Sequence, residues 1–180
     1  MKRAWLDLST VPMPDRVARL PLDERGYPTP HFAMFIDGKP DFRRVDHGKW
    51  FHAIESRQCG ICGGSLGAHI AFVGGPSSMQ SRLFTDLPMH RDCARYALQV
   101  CPFMAAPKFA YSNIEKEGVP VNPHVSDQRP ERFGLAMTKA YRLIQLPGQS
   151  LALQAGNFAS VEWWLNGKCG FHAIRTLSPR

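Results

Sequence analysis

Two short stretches of this 180-residue chain decide how it folds: Cys59-Gly60-Ile61-Cys62-Gly63 and His90-Arg91-Asp92-Cys93, with 27 residues between Cys62 and His90. The first is a C-x-x-C turn, where glycine lets the backbone fold tightly behind the sulfurs and expose N–H groups to them. The second sets a histidine and a cysteine three apart, which puts both on one face if the segment is helical. A helix N-terminus also favours thiolate charge. Two converging pairs of N and S donors meet the requirement of a closed tetrahedral zinc site. The spacing therefore predicts Cys59, Cys62, His90 and Cys93 as the ligands of one structural Zn2+. A redox pair and packed, unliganded thiols are the alternatives. A redox pair would need a strand before the turn and a helix beginning at it, and Gly63-Gly64 oppose such a helix.

Working outward, residues 31–36 and 39–45 flank Asp37-Gly38 and read as a hairpin with a type I′ turn, its second strand at an edge because of Pro40. Asp46 suits the cap of a helix over 47–57, with Trp50, Phe51 and Ile54 as its apolar stripe. A strand is expected at 68–73, a loop at 74–78 and a return strand at 83–85. Asp86 is placed to cap a helix over 87–100, which stops before Cys101-Pro102. A knuckle, a hairpin and a helix whose first turn carries the last two ligands resemble a treble-clef zinc centre in order of elements and in spacing.

Residues 1–30 hold five prolines and read as an extended arm, either wrapped on the body or loosely attached. Residues 31–105 form the zinc-binding core. Residues 106–180 form a β-rich extension packed on it. In that extension we expect an irregular connection with a short helix near 113–117. A strand at 135–146 follows, turning at Pro147-Gly148 into a partner at 151–155, with a last strand or short helix at 161–165. The fold class is α+β. Cys101 falls two turns after Cys93 on the same helix face and reads as a core thiol. Cys169 has no partner spacing and reads as a buried or spare one.

The chain carries +7 with histidine neutral. That charge is spread, with 13 basic against 10 acidic residues in 1–100 and 9 against 5 in 101–180. No run of five cations exists, so the balance permits nucleic acid without demanding it. The longest uninterrupted apolar stretch, 32–36, is far short of a membrane span of about 20 residues. Asp7, Pro12, Pro14 and Asp15 break up any export signal. The expectation is a cytoplasmic protein without membrane contact, its five cysteines acting as thiols or ligands rather than disulfides.

From residue 25 to 103 the chain resembles a group of small zinc-binding (CxxCG…HxxC) proteins of actinobacteria and their phages. The resemblance rests on Arg25-Gly26-Tyr27-Pro28, the stretch Phe35-Ile36-Asp37-Gly38-Lys39-Pro40-Asp41-Phe42-Arg43, the C-x-x-C-G turn, Phe72-Val73-Gly74-Gly75-Pro76, and Pro88-Met89-His90-Arg91-Asp92-Cys93-Ala94-Arg95-Tyr96-Ala97 with Cys101-Pro102-Phe103. It implies the same four metal ligands and no substrate. Where this chain has Ser77-Ser78-Met79 the group is expected to carry methionine and cysteine, so no extra ligand is implied there.

Four ligands leave no open position for a catalytic metal. The His-Asn-His nucleases share the treble clef, and His69, on the strand after the knuckle, is the candidate base for that alternative. A deaminase signature is missing, because His52 and Glu55 have the wrong spacing and order. No Walker loop, dinucleotide fingerprint or nucleophile elbow is present. The expectation is a non-enzymatic, zinc-stabilised binding module contacting nucleic acid or a protein partner. Its candidate contact residues are Arg57, Arg82, Arg91 and Arg95 around the zinc helix, and Trp163-Trp164, which put one aromatic on each face of a strand.

Overall fold

In the computed structural model, which describes residues 6–106 and 129–173, all six residues of the strand Phe133–Thr138 are buried. A strand loses both faces to solvent only when each is covered, and the surrounding elements provide that cover. In chain order these are α1 (Asp15–Ala18), β1 (Ala33–Ile36), β2 (Lys39–Val45), α2 (His47–Glu55), β3 (Ile70–Gly74), α3 (Pro76–Ser81), β4 (Leu83–Phe84), α4 (Arg91–Val100), α5 (Pro102–Ala105), β5 (Phe133–Thr138), β6 (Tyr141–Gln145), β7 (Leu151–Ala155), β8 (Ser160–Leu165) and β9 (Lys168–Ala173). Among the described residues the architecture is α+β with three antiparallel sheets, ordered β1-β2, β3-β5-β8-β9 and β4-β7-β6.

The register of the four-stranded sheet shows what covers β5. Val73, Leu135 and Glu162 stand in one row, and Phe72, Ala136 and Val161 in the adjacent row on the opposite face. Glu162 meets α4, so its row faces that helix. Phe72 stacks on Phe84 of β4 at 4.6 Å and meets Tyr141 of β6 edge-on at 5.9 Å, so its row faces the second sheet. Phe72, Ile70, Leu135 and Leu153 are fully buried between these layers.

The N-terminal arm wraps on this body. Val17 is buried, and the His31 amide donates to the Ile61 carbonyl at 2.8 Å, tying the arm to the C-x-x-C turn. The β1-β2 hairpin turns at Asp37-Gly38 with φ of 50° and 74°, as Asp-Gly predicts. Asp46 caps α2 by accepting from the Lys49 amide. On α2 Trp50 and Ile54 pack against the core as read, with Ala53 fully buried between them, while Phe51 is exposed.

Several other elements differ from expectation for identifiable reasons. The loop at 74–78 contains the start of α3, because Pro76 at its first position is preorganised for a helix. The return strand β4 does not pair with β3; it pairs with β7 in another sheet. The helix expected from residue 87 begins at Arg91, since Leu87-Pro88-Met89 is extended. Met89 exchanges both backbone hydrogen bonds with Ala71 at 2.8 Å, and the Gly60 amide donates to Pro88. The single strand expected at 135–146 is two strands, β5 and β6, in different sheets. After Asn166-Gly167, where both φ are positive, the chain returns as β9, for which no strand was expected. The hairpin of β6 with β7 across Pro147-Gly148 forms as read. The helix expected near 113–117 lies outside the described residues. Among the described residues no helix is long and apolar enough to cross a membrane.

The packing at Phe72 makes a measurable statement. Phe72→Ala is expected to cost about 3–5 kcal/mol, since both the transfer term and the cavity term apply. Phe51→Ala is expected to cost under about 1 kcal/mol at its exposed site. Urea unfolding of the two variants beside the parent measures the difference.

Candidate metal centre

The C-x-x-C turn is built around two close approaches. A Cβ at Gly60 would sit 2.6 Å from Leu87 Cβ, so only glycine lets the turn lie against the extended segment before α4. Gly63 has φ of 71°, and its amide donates to the Cys59 carbonyl at 2.9 Å, closing the turn. The Cys59 amide in turn donates to Gly64 at 2.8 Å. Backbone amides then face the sulfurs: Cys62 and His90 donate to Cys59 Sγ, the latter at 3.4 Å, and Gly64 donates to Cys62 Sγ.

α4 supplies the other pair from its N-cap and third residue, His90 and Cys93. The ligand atoms of Cys59, Cys62, His90 and Cys93 lie within 4.8 Å of one another, so the four can hold a metal ion. His90 Nδ1 points inward, 3.4 Å from Cys62 Sγ and 4.0 Å from Cys93 Sγ. His90 Nε2 points outward and meets the Ser65 carbonyl oxygen at 3.0 Å. A carbonyl accepts only, so this contact places the proton on Nε2 and leaves the Nδ1 lone pair toward the sulfurs. Cys59 and Cys93 are fully buried and Cys62 is half-buried.

The thiols respond to their crowding. Cys62 is pushed well above the usual thiol range by its hydrogen bond to Cys59 and by burial. At Cys59 the hydrogen bond with Cys62 lowers the thiol, but the bond with Cys93 and burial outweigh it and the net shift is upward. A bound cation would offset the thiolate charge that burial and crowding disfavour at Cys59 and Cys62.

The remaining candidates are scattered around this cluster. Arg91 and Arg95 do share a face of α4, but they do not form a free basic patch. Both grip Glu162 of β8, which is 1% exposed. Arg91 donates from Nε and Nη2 at 3.2 and 2.5 Å, and Arg95 from Nε and Nη2 at 3.0 and 2.7 Å. Burial alone would raise the Glu162 carboxyl; Arg95 and then Arg91 overrule it and hold it below the usual glutamate range. The sequence pattern offered one signal for this clamp, a lone acidic residue in an otherwise apolar strand. Arg82 caps α3 in the left-handed region and donates to Asn157 across the fold. Arg57, also at positive φ, lies over the Tyr141 ring at 5.5 Å. Trp164 is buried and Trp163 half-buried under Arg132, whose guanidinium sits 4.5 Å from the ring, so the pair does split between faces. His69 is exposed, in a groove beside His90. Cys101 is half-buried at the α4–α5 junction rather than in the core, and Cys169 is exposed on β9. The chain matches no family model, and no curated protein or solved structure matches it.

Purified protein is expected to carry one thiophilic cation per chain. Cys59→Ser or Cys93→Ser should release the cation and lower the melting temperature by ten degrees or more, since metal binding here is folding free energy. Cys169→Ser, at an exposed site, should shift it by little. Elemental analysis with thermal melts checks both.

Glu162 adds a pH dependence. A carboxyl whose pKa is lowered on folding stabilises the fold above its unfolded value, and that contribution is lost as pH falls through the folded value. The stability gap between the parent and Glu162→Gln is expected to be constant from pH 8 to 6 and to narrow below about 4.5, the ordinary value. Urea midpoints of the two proteins across that range measure it, with acid loss of the cation common to both.

Proposed function

We propose that this chain is a non-enzymatic binding module, held together by one structural Zn2+ on Cys59, Cys62, His90 and Cys93, that contacts nucleic acid or a protein partner in the cytoplasm. The observation that carries this reading is the closed donor set. Four N and S atoms converge, and the outer nitrogen of the histidine is already engaged with Ser65. A catalytic zinc keeps three protein ligands and an open position; four ligands use every position. Three thiolates and an imidazole are donors that suit zinc over harder cations. A glycine-braced knuckle with a second ligand pair at the start of a helix supports the treble-clef resemblance, with β4 displaced into another sheet.

A nuclease of the His-Asn-His type is the second reading, and its one support is the exposed His69 in the groove beside the cluster. That chemistry needs a second, catalytic cation. Among the described residues the four-ligand cluster is the one group of three or more His, Cys, Asp or Glu placed to share an ion.

The test uses the metal-loaded protein with supercoiled plasmid in the presence of Mg2+ or Mn2+. The expected outcome is no nicking above buffer, unchanged by His69→Ala. Nicking that disappears in a folded His69→Ala variant would move the protein to the nuclease reading.

A further inference from the structure

We infer that the groove between the N-terminal arm and the first turns of α4 is a docking surface for the phosphate backbone of a nucleic acid. This rests on the binding-module reading and names its partner and its face. The groove has a volume of about 450 Å³ and lies open to solvent, lined by Pro12 and Pro14 of the arm, by residues of α4 and by His69. Three arginines line it: Arg16 from α1, and Arg91 and Arg95 from α4.

What sets these arginines apart from ordinary surface cations is that carboxylates already hold them in place. Arg91 and Arg95 spend Nε and Nη2 on Glu162, and among the described residues Nη1 of each carries no hydrogen bond. Arg16 reaches Asp92, in the first turn of α4, through Nε at 3.0 Å. A guanidinium has five N–H donors in a planar fork, so using one edge leaves the other available and oriented. The rotamer entropy that a flexible arginine loses on binding has here been lost in folding.

The charge favours an anion. Asp92 and Glu162 offset two of the three guanidiniums, leaving an excess of about one positive charge. The whole chain adds a favourable background of +7. The side chains of Arg16, Arg91 and Arg95 remain 45%, 48% and 40% exposed. A free small phosphate compound would be left mostly in water on such a surface, whereas small-molecule sites enclose most of their ligand. A polymer laid across the groove meets all three arginines at once. Arg91 and Arg95 are four residues apart on α4, about 6 Å along the axis, and Arg16 reaches α4 from α1.

The experiment is fluorescence anisotropy with a labelled 20-base-pair duplex and a labelled 20-nucleotide single strand, at 50 and 200 mM salt. With three phosphate contacts, duplex affinity is expected to fall roughly 40-fold over that range, a logarithmic slope of about −2.7. Arg16→Glu leaves the Glu162 clamp untouched and is expected to weaken binding at least tenfold. Arg142→Glu changes net charge equally on β6, outside the groove, and is expected to weaken it less than twofold. If Arg16→Glu unfolds, His69→Glu takes its place with the same expectation. Equal losses from the groove variant and Arg142→Glu would overturn the groove while leaving a nucleic-acid-binding module. Absence of salt-sensitive binding to either oligonucleotide would also overturn it, and the module would then need a protein partner. A mononucleotide binding as tightly as the oligonucleotides, with the same Arg16 dependence, would overturn the polymer as ligand. Only His69-dependent plasmid nicking would overturn the module reading itself.

Discussion

The convergence of four donor atoms from two segments nearly thirty residues apart is the constraint on which this structure depends. Cys59 and Cys62 cannot meet His90 and Cys93 unless the backbone of the turn lies directly on the segment before α4. That contact is in place: the Gly60 amide bonds to Pro88, and the missing side chain of Gly60 is what lets Leu87 approach. Other elements attach to this junction. The arm hangs from the Ile61 carbonyl, and Met89, immediately before the ligand histidine, pairs with Ala71 and so fixes the first strand of the main sheet. A cation bound here therefore fastens arm, turn, helix and sheet in one event, and its binding energy is spread through the fold rather than confined to a loop.

The second tie is electrostatic, and it works differently. Glu162 of β8 reaches back to α4, joining the β-rich extension to the helix that carries His90 and Cys93. A buried ion pair recovers little net free energy against well-packed apolar residues, because desolvation offsets most of the attraction. Its effect is on specificity. Removing either partner leaves an uncompensated charge, so β8 is held in the one register that puts residue 162, rather than 161 or 163, under the helix. The same register sends Trp164 into the core and Trp163 outward.

The convergence of Cys59, Cys62, His90 and Cys93 was legible in the sequence because it is built from local pairs. Each pair sits within four residues, and the spacing alone says that the pair can converge. The Asp-Gly turn, the Asp46 cap and the hairpin across Pro147-Gly148 were legible for the same reason. What was not legible is long-range. Residues 135–146 read as one alternating strand because Lys139-Ala140 carries no turn signal, yet the chain there passes from one sheet to the other. Leu87-Pro88-Met89 follows Asp86, which reads as a helix cap in the sequence, whereas the N-cap of α4 is His90. The segment is extended because Ala71 and Gly60 offer it better hydrogen bonds than a first helical turn, whose amides have no partners in the helix. β4 looks like a return strand in sequence, and β7, some seventy residues away, takes it instead.

The arginines of α4 show the same boundary in the functional reading. Residues 91 and 95, one turn apart, share a helix face whatever the fold, so the sequence does place two cations together. It cannot show that a carboxylate seventy residues later will consume one edge of each. Finding them paired does not turn the face into mere scaffold. An arginine bound on both edges is spent, but one bound on a single edge is oriented, and an oriented donor recognises a phosphate at lower entropic cost than a mobile one. The clamp on Glu162 can therefore hold the β-rich extension in register and still leave one edge of each arginine unspent on residues that line the groove. Both roles follow from one planar group having two usable sides.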